Sequence, residues 1–380
     1  MSKIIFCVNS LTSGGAEKIV ITILSKLLQE NYDVELICLE KNNFYAIPEG
    51  LKITYLTEND GKSSGLKKLF SIPYLAYKLK KYSQENKIDV IHSHLYRANY
   101  INVLSTLLGA SHTTQIVNHG IISRYKTKGL LGKINLFLIK HLYSKANLII
   151  LISKMMKKDL NDLFDFSNKQ IVINNPYDID KINKLKDEPI EDFLFLPTKK
   201  YLITMGRLIS LKRYQDVLKA LSMLDDNIEL VLLGDGEERD NLESLSKALS
   251  INKRVHFLGN VSNPFKYLAK ADVFILSSET EGFPNSIIEA LACKTVVVSS
   301  DCISGPREIL APSTSISLQL KDEIEITEYG VLYPVGNIEL LRKAIKHAIN
   351  LESSEKLLLR AKDFSVDKII TQYKKVLELE

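Results

Sequence analysis

The chain has 380 residues, of which 45% are hydrophobic and 25% charged, and its formal net charge is +5. This composition is that of a globular protein, and the length favours two domains. The four cysteines are far apart in the sequence, which argues against a disulfide framework or a zinc site and predicts reduced thiols in a cytosolic protein. No run approaches the ~20 apolar residues of a transmembrane helix.

Short apolar runs, rich in β-branched residues, alternate with helical patterns such as Glu17–Gln29 and Tyr214–Met223. The predicted strands are Ile4–Val8, Val34–Leu39, Val90–His92, Gln115–Asn118, Leu148–Leu151, Tyr201–Met205, Ile228–Leu233, Val255–Phe257, Val273–Leu276 and Thr295–Val298. This alternation predicts an α/β fold with parallel sheets covered by helices on both faces. The first apolar run stops before a glycine pair, so it predicts a strand and not a signal peptide.

An irregular stretch separates the two halves of the pattern. Residues 174–200 contain Pro176, Pro189 and Pro197, and we place the domain linker there. The sequence thus predicts an N-terminal domain over residues 1–180 and a C-terminal domain over residues 195–365. A last helix, predicted over Asp367–Leu377 within residues 366–380, follows the second domain and could pack back on the first.

The loops after the predicted strands are the places to look for chemistry, because ligands of open α/β sheets bind at the carboxyl ends of the strands. After the first strand, Gly14 and Gly15 open a helix, where backbone N–H groups can approach a phosphate. An ordinary tight turn is the alternative. The spacing is not Gly-x-Gly-x-x-Gly, so a dinucleotide-binding fingerprint is absent.

Two cations follow the strand Tyr201–Met205. Arg207 offers a planar fork and Lys212 a mobile point charge, and both suit an anionic group at the end of a strand. The alternative is ordinary solvated surface charge.

The stretch Glu281-Gly-Phe-Pro-Asn-Ser-Ile-Ile-Glu289 follows the strand Val273–Leu276. A structural interpretation is a capping box, in which Ser286 and Glu289 satisfy free N–H groups at a helix start. That leaves Glu281 and Asn285 unexplained. The free amides and dipole of the helix start also favour an anion, and two carboxylates can accept hydrogen bonds from the hydroxyls of a sugar nucleotide.

Here the sequence resembles the retaining GT-B glycosyltransferases of family 4, whose signature is Glu-x(7)-Glu. Glu281 and Glu289 have that spacing, with Gly282-Phe-Pro284 between them. Supporting pieces occur in the expected order: Ser13-Gly-Gly-Ala-Glu17, Asn118-His119-Gly120, Ile152-Ser153-Lys154, Gly206-Arg207-Leu208 with Lys212, Val231-x-x-Gly234-x-Gly236, and Val255-x-Phe257-x-Gly259. The resemblance spans nearly the whole chain and implies a GT-B fold, with two Rossmann-like domains facing across a cleft.

The resemblance also implies roles for individual residues. Arg207 and Lys212 would hold the donor diphosphate and stabilise the leaving nucleotide, which is usually the dominant electrostatic contribution. Glu289 would accept the ribose hydroxyls, and Glu281 would contact the donor sugar. His119 would reach the donor sugar from the first domain. Further donor contacts would come from Gly14, Gly15, Asn285, Ser286 and Ile287, and the loop around Phe257 would hold the base through its backbone.

The resemblance implies retention of the anomeric configuration by a front-face transfer, without metal or cofactor. Asp178-Ile-Asp180 matches the Asp-x-Asp of metal-dependent enzymes, but it lies in the predicted linker and is not expected to bind metal. His92 and His94 lie on one face of a strand end and lack a third ligand. Lys212 is followed by Arg213 where the family usually has glycine, which leaves open which cation contacts the phosphate.

Two segments of the first domain combine basic and apolar residues. Residues 61–81 and 123–145 contain twelve lysines and arginines and no acidic residue, with leucines and other apolar residues interleaved. Such segments predict binding to an anionic membrane surface. The alternative is that the apolar residues face the core and the lysines are solvated. No nucleic-acid-reading motif is present.

These features predict a cytoplasmic glycosyltransferase, peripheral on the inner face of the membrane. It would transfer a sugar from a UDP-sugar donor to a polyprenyl-diphosphate-linked glycan in surface polysaccharide or protein glycan synthesis. Ser304-Gly-Pro-Arg-Glu-Ile309 resembles members that extend such glycans, and N-acetylgalactosamine is the expected sugar. The alternatives are a sugar-nucleotide-binding scaffold without activity and a GT-B sugar-nucleotide epimerase.

Overall fold

The computed structural model describes residues 3–12, 14–59 and 65–377, apart from the side chain of Leu66. The strands over these residues are β1 Ile4–Val8, β2 Val34–Cys38, β3 Lys52–Tyr55, β4 Val90–His94, β5 Thr113–Asn118, β6 Leu148–Leu151, β7 Lys169–Val172, β8 Lys200–Met205, β9 Ile228–Leu233, β10 Val255–Gly259, β11 Val273–Leu276, β12 Val296–Ser300, β13 Glu325–Ile326 and β14 Val331–Tyr333.

Helices connect most of these strands. They are α1 Gly15–Gln29, α2 Gly65–Phe70, α3 Ile72–Glu85, α4 Tyr96–Leu107, α5 Gly129–Leu138, α6 Lys154–Leu163, α7 Ile179–Leu185, α8 Tyr214–Leu221, α9 Arg239–Ala248, α10 Phe265–Leu268, α11 Asn285–Ala292, α12 Pro306–Leu310, α13 Ile338–Ala348, α14 Glu355–Lys362 and α15 Val366–Val376. None of the helices in the described part of the chain is long and apolar enough to cross a membrane.

The first compact unit contains the described residues up to Tyr177 and those from Val366 onward. Its strands form a parallel sheet in the order β3-β2-β1-β4-β5-β6-β7. Every residue of β1 is buried, as expected of a central strand covered on both faces. The C-terminal helix α15 packs on α1, where Lys26 and Asp367 are 2.6 Å apart and Lys374 and Glu30 2.5 Å apart.

The second unit runs from Asp178 to Ser365. Its sheet has the order β10-β9-β8-β11-β12-β14-β13, and within it only the edge pair β13–β14 is antiparallel over the described residues. The central strand β8 pairs with β9 over its full length and with β11 at its middle. The carboxyl ends of β8, β9, β11 and β12 therefore share one edge, and the loops that follow them carry the predicted donor site.

The segment that we predicted to be an irregular linker contains the helix α7. Residues 178–194, which lie outside the predicted C-terminal domain of 195–365, belong to the second unit because they bond to it. The side-chain amide of Asn263 donates to the Leu185 carbonyl oxygen at 2.7 Å, and the Tyr267 hydroxyl donates to Asp192. Asp178 caps α7 by accepting from the Lys181 amide at 2.9 Å, so the Asp-x-Asp match is a helix start.

Several predicted strand ends move by one or two residues. β4 continues past His92 to His94, and β12 covers Val296–Ser300 where we predicted Thr295–Val298. Both strands gain residues at the carboxyl edge because neighbouring strands pair with them there: His94 is in register with Val117, and Ser300 with Tyr333. All four cysteines are buried and unpaired.

Candidate active site

Glycines shape the strand edge of the second unit. A Cβ atom at Gly234 would lie 2.1 Å from the Gly206 carbonyl oxygen, and both residues have positive φ angles, of 130° and 141°. The turns after β8 and β9 can cross this closely only because side chains are absent there. The Gly206 amide donates to Leu233 at 2.9 Å, and the Gly234 amide donates to Gly259 at 2.7 Å. The ends of β8, β9 and β10 are thereby tied together.

Arg207 follows Gly206 at this edge, and its side chain is exposed. Among the described residues no hydrogen bond or ion pair engages its guanidinium. Lys212, five residues further on, is instead bonded to Glu281, with Nζ and Oε1 2.6 Å apart. The structure therefore joins two predicted site residues directly, although the sequence resemblance gave them separate ligands.

Serines from the loop after β11 hold this pair in place. The Ser278 hydroxyl donates to the same Glu281 oxygen at 2.6 Å, and the Ser277 hydroxyl donates to the Lys212 carbonyl oxygen at 2.6 Å. Only 21% of the Lys212 side chain and 14% of the Glu281 side chain are exposed. In such a partly desolvated setting, charges act more strongly on a ligand than they do in bulk water. Sequence reasoning missed both serines.

Arg213 has a different partner from Lys212. Its backbone is left-handed, with φ 51°, which explains why glycine suits this position. Its Nε atom donates to the buried Asp216 carboxylate at 2.7 Å, and a Cβ atom at Gly336 would lie 3.0 Å from its guanidinium. Arg213 is thus engaged within its own helix start, whereas Lys212 faces Glu281.

The helix α11 begins differently from the predicted capping box. Pro284 occupies the N-cap position without a side-chain cap bond, and Ser286 lies inside the first turn. The capping-box interpretation is therefore wrong, because proline has no side-chain acceptor and the helix starts at Asn285. Glu289 is 6% exposed and Ile287 is fully buried, so Ile287 could contact a donor only through its backbone.

The loops after β11 and β12 lie side by side. The Ser304 hydroxyl donates to the Gly282 carbonyl oxygen at 2.5 Å, and a Cβ atom at Gly305 would lie 2.3 Å from the Pro284 ring. Behind them, the Arg307 guanidinium makes a bidentate ion pair with Asp301, with hydrogen bonds of 3.0 and 2.7 Å. It also forms an ion pair with Glu325 at 2.9 Å. Buried Arg307 thus supports the loop that positions the start of α11.

The Phe257 loop is accompanied by an arginine that the sequence did not single out. Arg239 lies with its guanidinium carbon 5.7 Å from the centre of the Phe257 ring, and its Nη2 atom donates to the Phe257 carbonyl oxygen at 3.5 Å. Glu243, one helical turn later, accepts from Arg239 at 2.9 Å. Arg239 opens α9 and is separated from Gly236 only by Glu237 and Glu238, and this position is the sequence feature that could have identified it.

The strand edge of the first unit begins with the glycine pair, and Ser13 lies outside the described residues. Gly14 stands at the N-cap of α1 in an extended conformation. A Cβ atom at Gly14 would lie 2.1 Å from a carboxylate oxygen of Glu17, and the Thr12 hydroxyl donates to the other oxygen at 3.0 Å. A carboxylate of the chain itself therefore occupies this turn, which disfavours a phosphate there.

His119 follows β5 and contacts another imidazole. Its Nε2 atom is 2.8 Å from Nδ1 of His94. Burial lowers the pKa of His119 to about 3, and His92 contributes in the same direction. The ring is therefore neutral at physiological pH. The carbonyl oxygen of the next residue, Gly120, accepts from the Tyr96 hydroxyl at 2.9 Å and from the Asn118 amide at 2.9 Å, which fixes the loop.

His92 and His94 are fully buried within the first unit. Their place on one face of β4 agrees with the strand periodicity, and the Phe6 ring lies near both, at 4.9 and 6.0 Å between ring centres. In the described part of the chain, no group of three histidine, cysteine or acidic side chains is arranged to hold a metal ion.

Known proteins resemble this chain over its whole length. The family model described as "Glycosyl transferases group 1" matches residues 186–363, and the one described as "Glycosyltransferase Family 4" matches residues 13–181. The Campylobacter jejuni N-acetylgalactosamine-N,N'-diacetylbacillosaminyl-diphospho-undecaprenol 4-alpha-N-acetylgalactosaminyltransferase is 33% identical over 374 residues, 97% of each chain. A second C. jejuni enzyme, an alpha-1,4-N-acetyl-D-galactosaminyltransferase named for a GalNAc-extended diNAcBac-PP-undecaprenol, is 28% identical over 99% of this chain and 98% of its own.

Solved structures show the same fold. Anabaena HepE in complex with UDP superposes with a TM-score of 0.74 at 20% identity, and all of both chains is covered. Sucrose-phosphate synthase from Thermosynechococcus elongatus gives a TM-score of 0.81 at 17% identity, covering 99% of this chain and 98% of that one. Two parallel-sheet α/β units with these likenesses define the GT-B fold. The chain belongs to the group 1 and family 4 glycosyltransferases and is a transferase enzyme.

Proposed function

We propose that the chain transfers a sugar from a UDP-sugar to a polyprenyl-diphosphate-linked glycan, with retention of the anomeric configuration. The observation that carries this proposal is the cationic edge of the second unit. There Arg207 is exposed and without a partner among the described residues, and Lys212 is oriented by Glu281 at 2.6 Å. Two cations at a strand edge, one of them held in place by a carboxylate, suit a leaving diphosphate.

In the proposed mechanism, Arg207 and Lys212 bind the donor diphosphate while Glu281 accepts a hydroxyl of the donor sugar. Glu281 would thus connect the sugar to the cation that stabilises the leaving group. Glu289 accepts the ribose hydroxyls, and the amides of Asn285, Ser286 and Ile287 contact phosphate or sugar at the start of α11. The uracil lies on the Phe257 backbone.

The transfer breaks the bond between the anomeric carbon and the UDP oxygen and forms a bond from that carbon to an acceptor hydroxyl. The hydroxyl proton passes to the departing phosphate on the same face of the sugar. UDP leaves with the electron pair of the broken bond, and its charge is stabilised by Arg207 and Lys212. No step needs a metal or a cofactor, so we propose that neither takes part.

The first unit contributes the neutral imidazole of His119, which we propose donates a hydrogen bond to the donor sugar. The turn at Gly14 and Gly15 is proposed to contact sugar hydroxyls and not phosphate, because the Glu17 carboxylate lies against Gly14. A carboxylate oxygen readily accepts a hydrogen bond from a hydroxyl, whereas it repels a second anion.

The proposed acceptor rests on the C. jejuni relative named for an undecaprenol-linked glycan, which is 33% identical along 97% of the chain. The same relative supports N-acetylgalactosamine as the sugar. The stretch Ser304–Ile309 fits this subgroup, although Arg307 within it is buried against Asp301. We therefore assign that arginine to support of the loop and not to sugar choice.

We also propose that the first unit lies against the cytoplasmic face of a membrane. In α3, Ile72, Leu75 and Leu79 are buried, as the core alternative predicted. Large apolar side chains nevertheless remain exposed on this unit, among them Phe70 at 79% and Leu130 at 74%. Residues 61–64, which include Lys62, lie outside the described part of the chain.

The experiment is a screen of UDP-sugars with a synthetic polyprenyl-diphosphate glycan as acceptor, in the presence and absence of excess EDTA. We expect transfer of one sugar, fastest with UDP-N-acetylgalactosamine, an α-linked product and no effect of EDTA. Donor binding without turnover would support the scaffold alternative, and conversion of the free donor to its epimer would support the epimerase. Loss of activity in EDTA with recovery by Mg²⁺ or Mn²⁺ would contradict the metal-free mechanism.

A further inference from the structure

The histidine neighbours of His119 form a connected group inside the first unit. His94 Nδ1 is 2.8 Å from His119 Nε2, and His92 Nδ1 is 3.0 Å from the side-chain oxygen of Gln115. The Gln115 amide nitrogen donates to the Val376 carbonyl oxygen at the end of α15. Because that bond fixes the orientation of the amide, His92 must carry its proton on Nδ1 in order to donate to the oxygen.

The bond between His94 and His119 has one donor and one acceptor, because both rings are neutral. Burial holds the pKa of His94 well below its usual value, and His92 and His119 add to this effect. A neutral imidazole carries one proton, on Nδ1 or on Nε2, so the direction of donation decides the tautomer of both rings.

The other nitrogen of His94 decides the direction. His94 Nε2 is buried and has no hydrogen-bond partner among the described residues. If His119 donated, His94 would need its own proton on Nε2, which would leave a buried N–H group unsatisfied. Such donors are rare and cost free energy. If His94 donates from Nδ1, its Nε2 carries only a lone pair, as His92 Nε2 also does.

We propose that His94 is a positioning residue that fixes His119 as the Nδ1–H tautomer. His119 Nε2 then accepts the hydrogen bond from His94. The remaining ring nitrogen, Nδ1, carries the proton and can donate a hydrogen bond to a substrate oxygen. The role of His119 toward the donor sugar rests on the function proposed above. The assignment of the tautomer rests on the buried geometry of the first unit alone.

The direct test is nitrogen NMR of the full chain labelled with ¹⁵N-histidine, using long-range proton–nitrogen correlations that show which ring nitrogen carries the proton. The His119 signals are assigned by their loss in His119→Phe. We expect Nδ1–H for His119 in the wild type. In His94→Phe, which removes the donor but keeps a ring, we expect a mixture of tautomers. A wild-type His119 protonated on Nε2 would overturn the proposal.

Steady-state kinetics test whether the orientation of His119 by His94 affects turnover. We expect His94→Phe to lower kcat/KM for the donor by about 10–100-fold, the same size of loss as when partners that orient metal-binding histidines are removed. His94→Asn, whose side-chain amide can donate in place of Nδ1, should recover most of the loss. His112→Phe is the matched control. His112 is buried in the same unit, where its Nε2 atom lies 3.0 Å from the side-chain oxygen of Asn102 and 3.4 Å from the Ser105 hydroxyl.

Two results would distinguish a failure of the positioning role of His94 from a failure of the proposed function of His119. A His94→Phe enzyme with wild-type kcat/KM would overturn the positioning role even if the tautomer is as described. Unchanged turnover in His119→Phe would overturn the part of His119 in the proposed function, and the nitrogen spectrum of the wild type would still decide the tautomer by itself.

Discussion

The two sheets present carboxyl edges of opposite character. In the second unit the loops after β8 and β11 carry the partly exposed Lys212–Glu281 ion pair, with Arg207 free of partners among the described residues. In the first unit the edge at β4 and β5 carries His92, His94 and His119, neutral and largely enclosed. A similar strand arrangement therefore supports a site for an anion in one unit and a neutral hydrogen-bonding group in the other.

The difference lies in the side chains at the strand ends and not in the topology. The second edge uses glycines that bring backbone turns close together and serines that hold the charges. The first edge buries its imidazoles beside Phe6, and burial disfavours their charged form. Substitutions at the two edges should therefore differ in kind: loss of charge support at the second, and loss of stability in acid at the first.

The largest effect is expected from Arg307→Met. This change leaves Asp301, which is 2% exposed, without its guanidinium partner, and breaking a buried ion pair from one side costs about 3–5 kcal/mol. Urea unfolding should show a loss of that size. Arg342→Met, which removes the more exposed pair with Glu339 at 3.0 Å, should cost below about 1 kcal/mol. Equal losses in the two variants would contradict the supporting role of Arg307.

Arg207→Ala should lower kcat by about 10²–10³-fold, because it removes a positive charge that stabilises the leaving diphosphate in the proposed mechanism. Its circular dichroism and unfolding midpoint should stay close to those of the wild type, since the side chain is exposed. Lys219→Ala, an exposed lysine on α8 in the same unit, is the control and should leave turnover unchanged. Wild-type turnover in Arg207→Ala would remove the charged edge from the proposed mechanism.

The neutral edge predicts a loss of stability in acid. Burial lowers the pKa of His92 to about 4, whereas an unfolded histidine titrates near 6.5. Below that pH the unfolded chain binds protons that the folded chain excludes, so the free energy of unfolding should fall as pH drops from about 6.5 to about 4. The slope approaches about 1.4 kcal/mol per pH unit for each such histidine.

Unfolding measured between pH 7 and 5 checks this expectation. In His92→Phe, the free energy of unfolding should depend less steeply on pH, by the contribution of roughly one histidine. This difference in slope is expected even if the substitution also changes the stability at pH 7. An unchanged slope in that variant would mean that His92 takes up a proton in the folded state.

The smallest effect concerns the outer surface of the first unit. Phe70, Tyr74 and Tyr77 are exposed, and their joint replacement by serine should weaken binding to anionic vesicles by about tenfold, or roughly 1.4 kcal/mol. Lys78 and Lys80 are poorer targets, because they donate to the Leu56 and Leu108 carbonyl oxygens at 2.7 Å each. Leu351→Ser with Leu359→Ser, exposed in the second unit, is the control.

Co-sedimentation with phosphatidylglycerol vesicles at low and high salt measures the effect. Wild-type protein that stays in solution at low salt would contradict the membrane proposal.

The sequence alone determined the class of fold and most central strands. Runs such as Ile4–Val8 and Ile228–Leu233 are apolar and β-branched, and their bounds were predicted as the structure has them. The half-exposed edge strands β3 and β7 were missed, because Lys52–Tyr55 and Lys169–Val172 have too few buried residues for a clear apolar pattern. Family resemblance, carried by short motifs in order, gave the site residues as candidates.

Only the tertiary structure decided what those residues touch. Lys212 and Glu281 are 69 positions apart, and no local pattern shows that they bond. The pairing of Glu17 with the Gly14 turn, the contact of His94 with His119 and the burial of Arg307 follow from how the strands and loops are packed. Sequence patterns report local periodicity and composition, whereas hydrogen-bond partners and desolvation arise between segments that are distant along the chain.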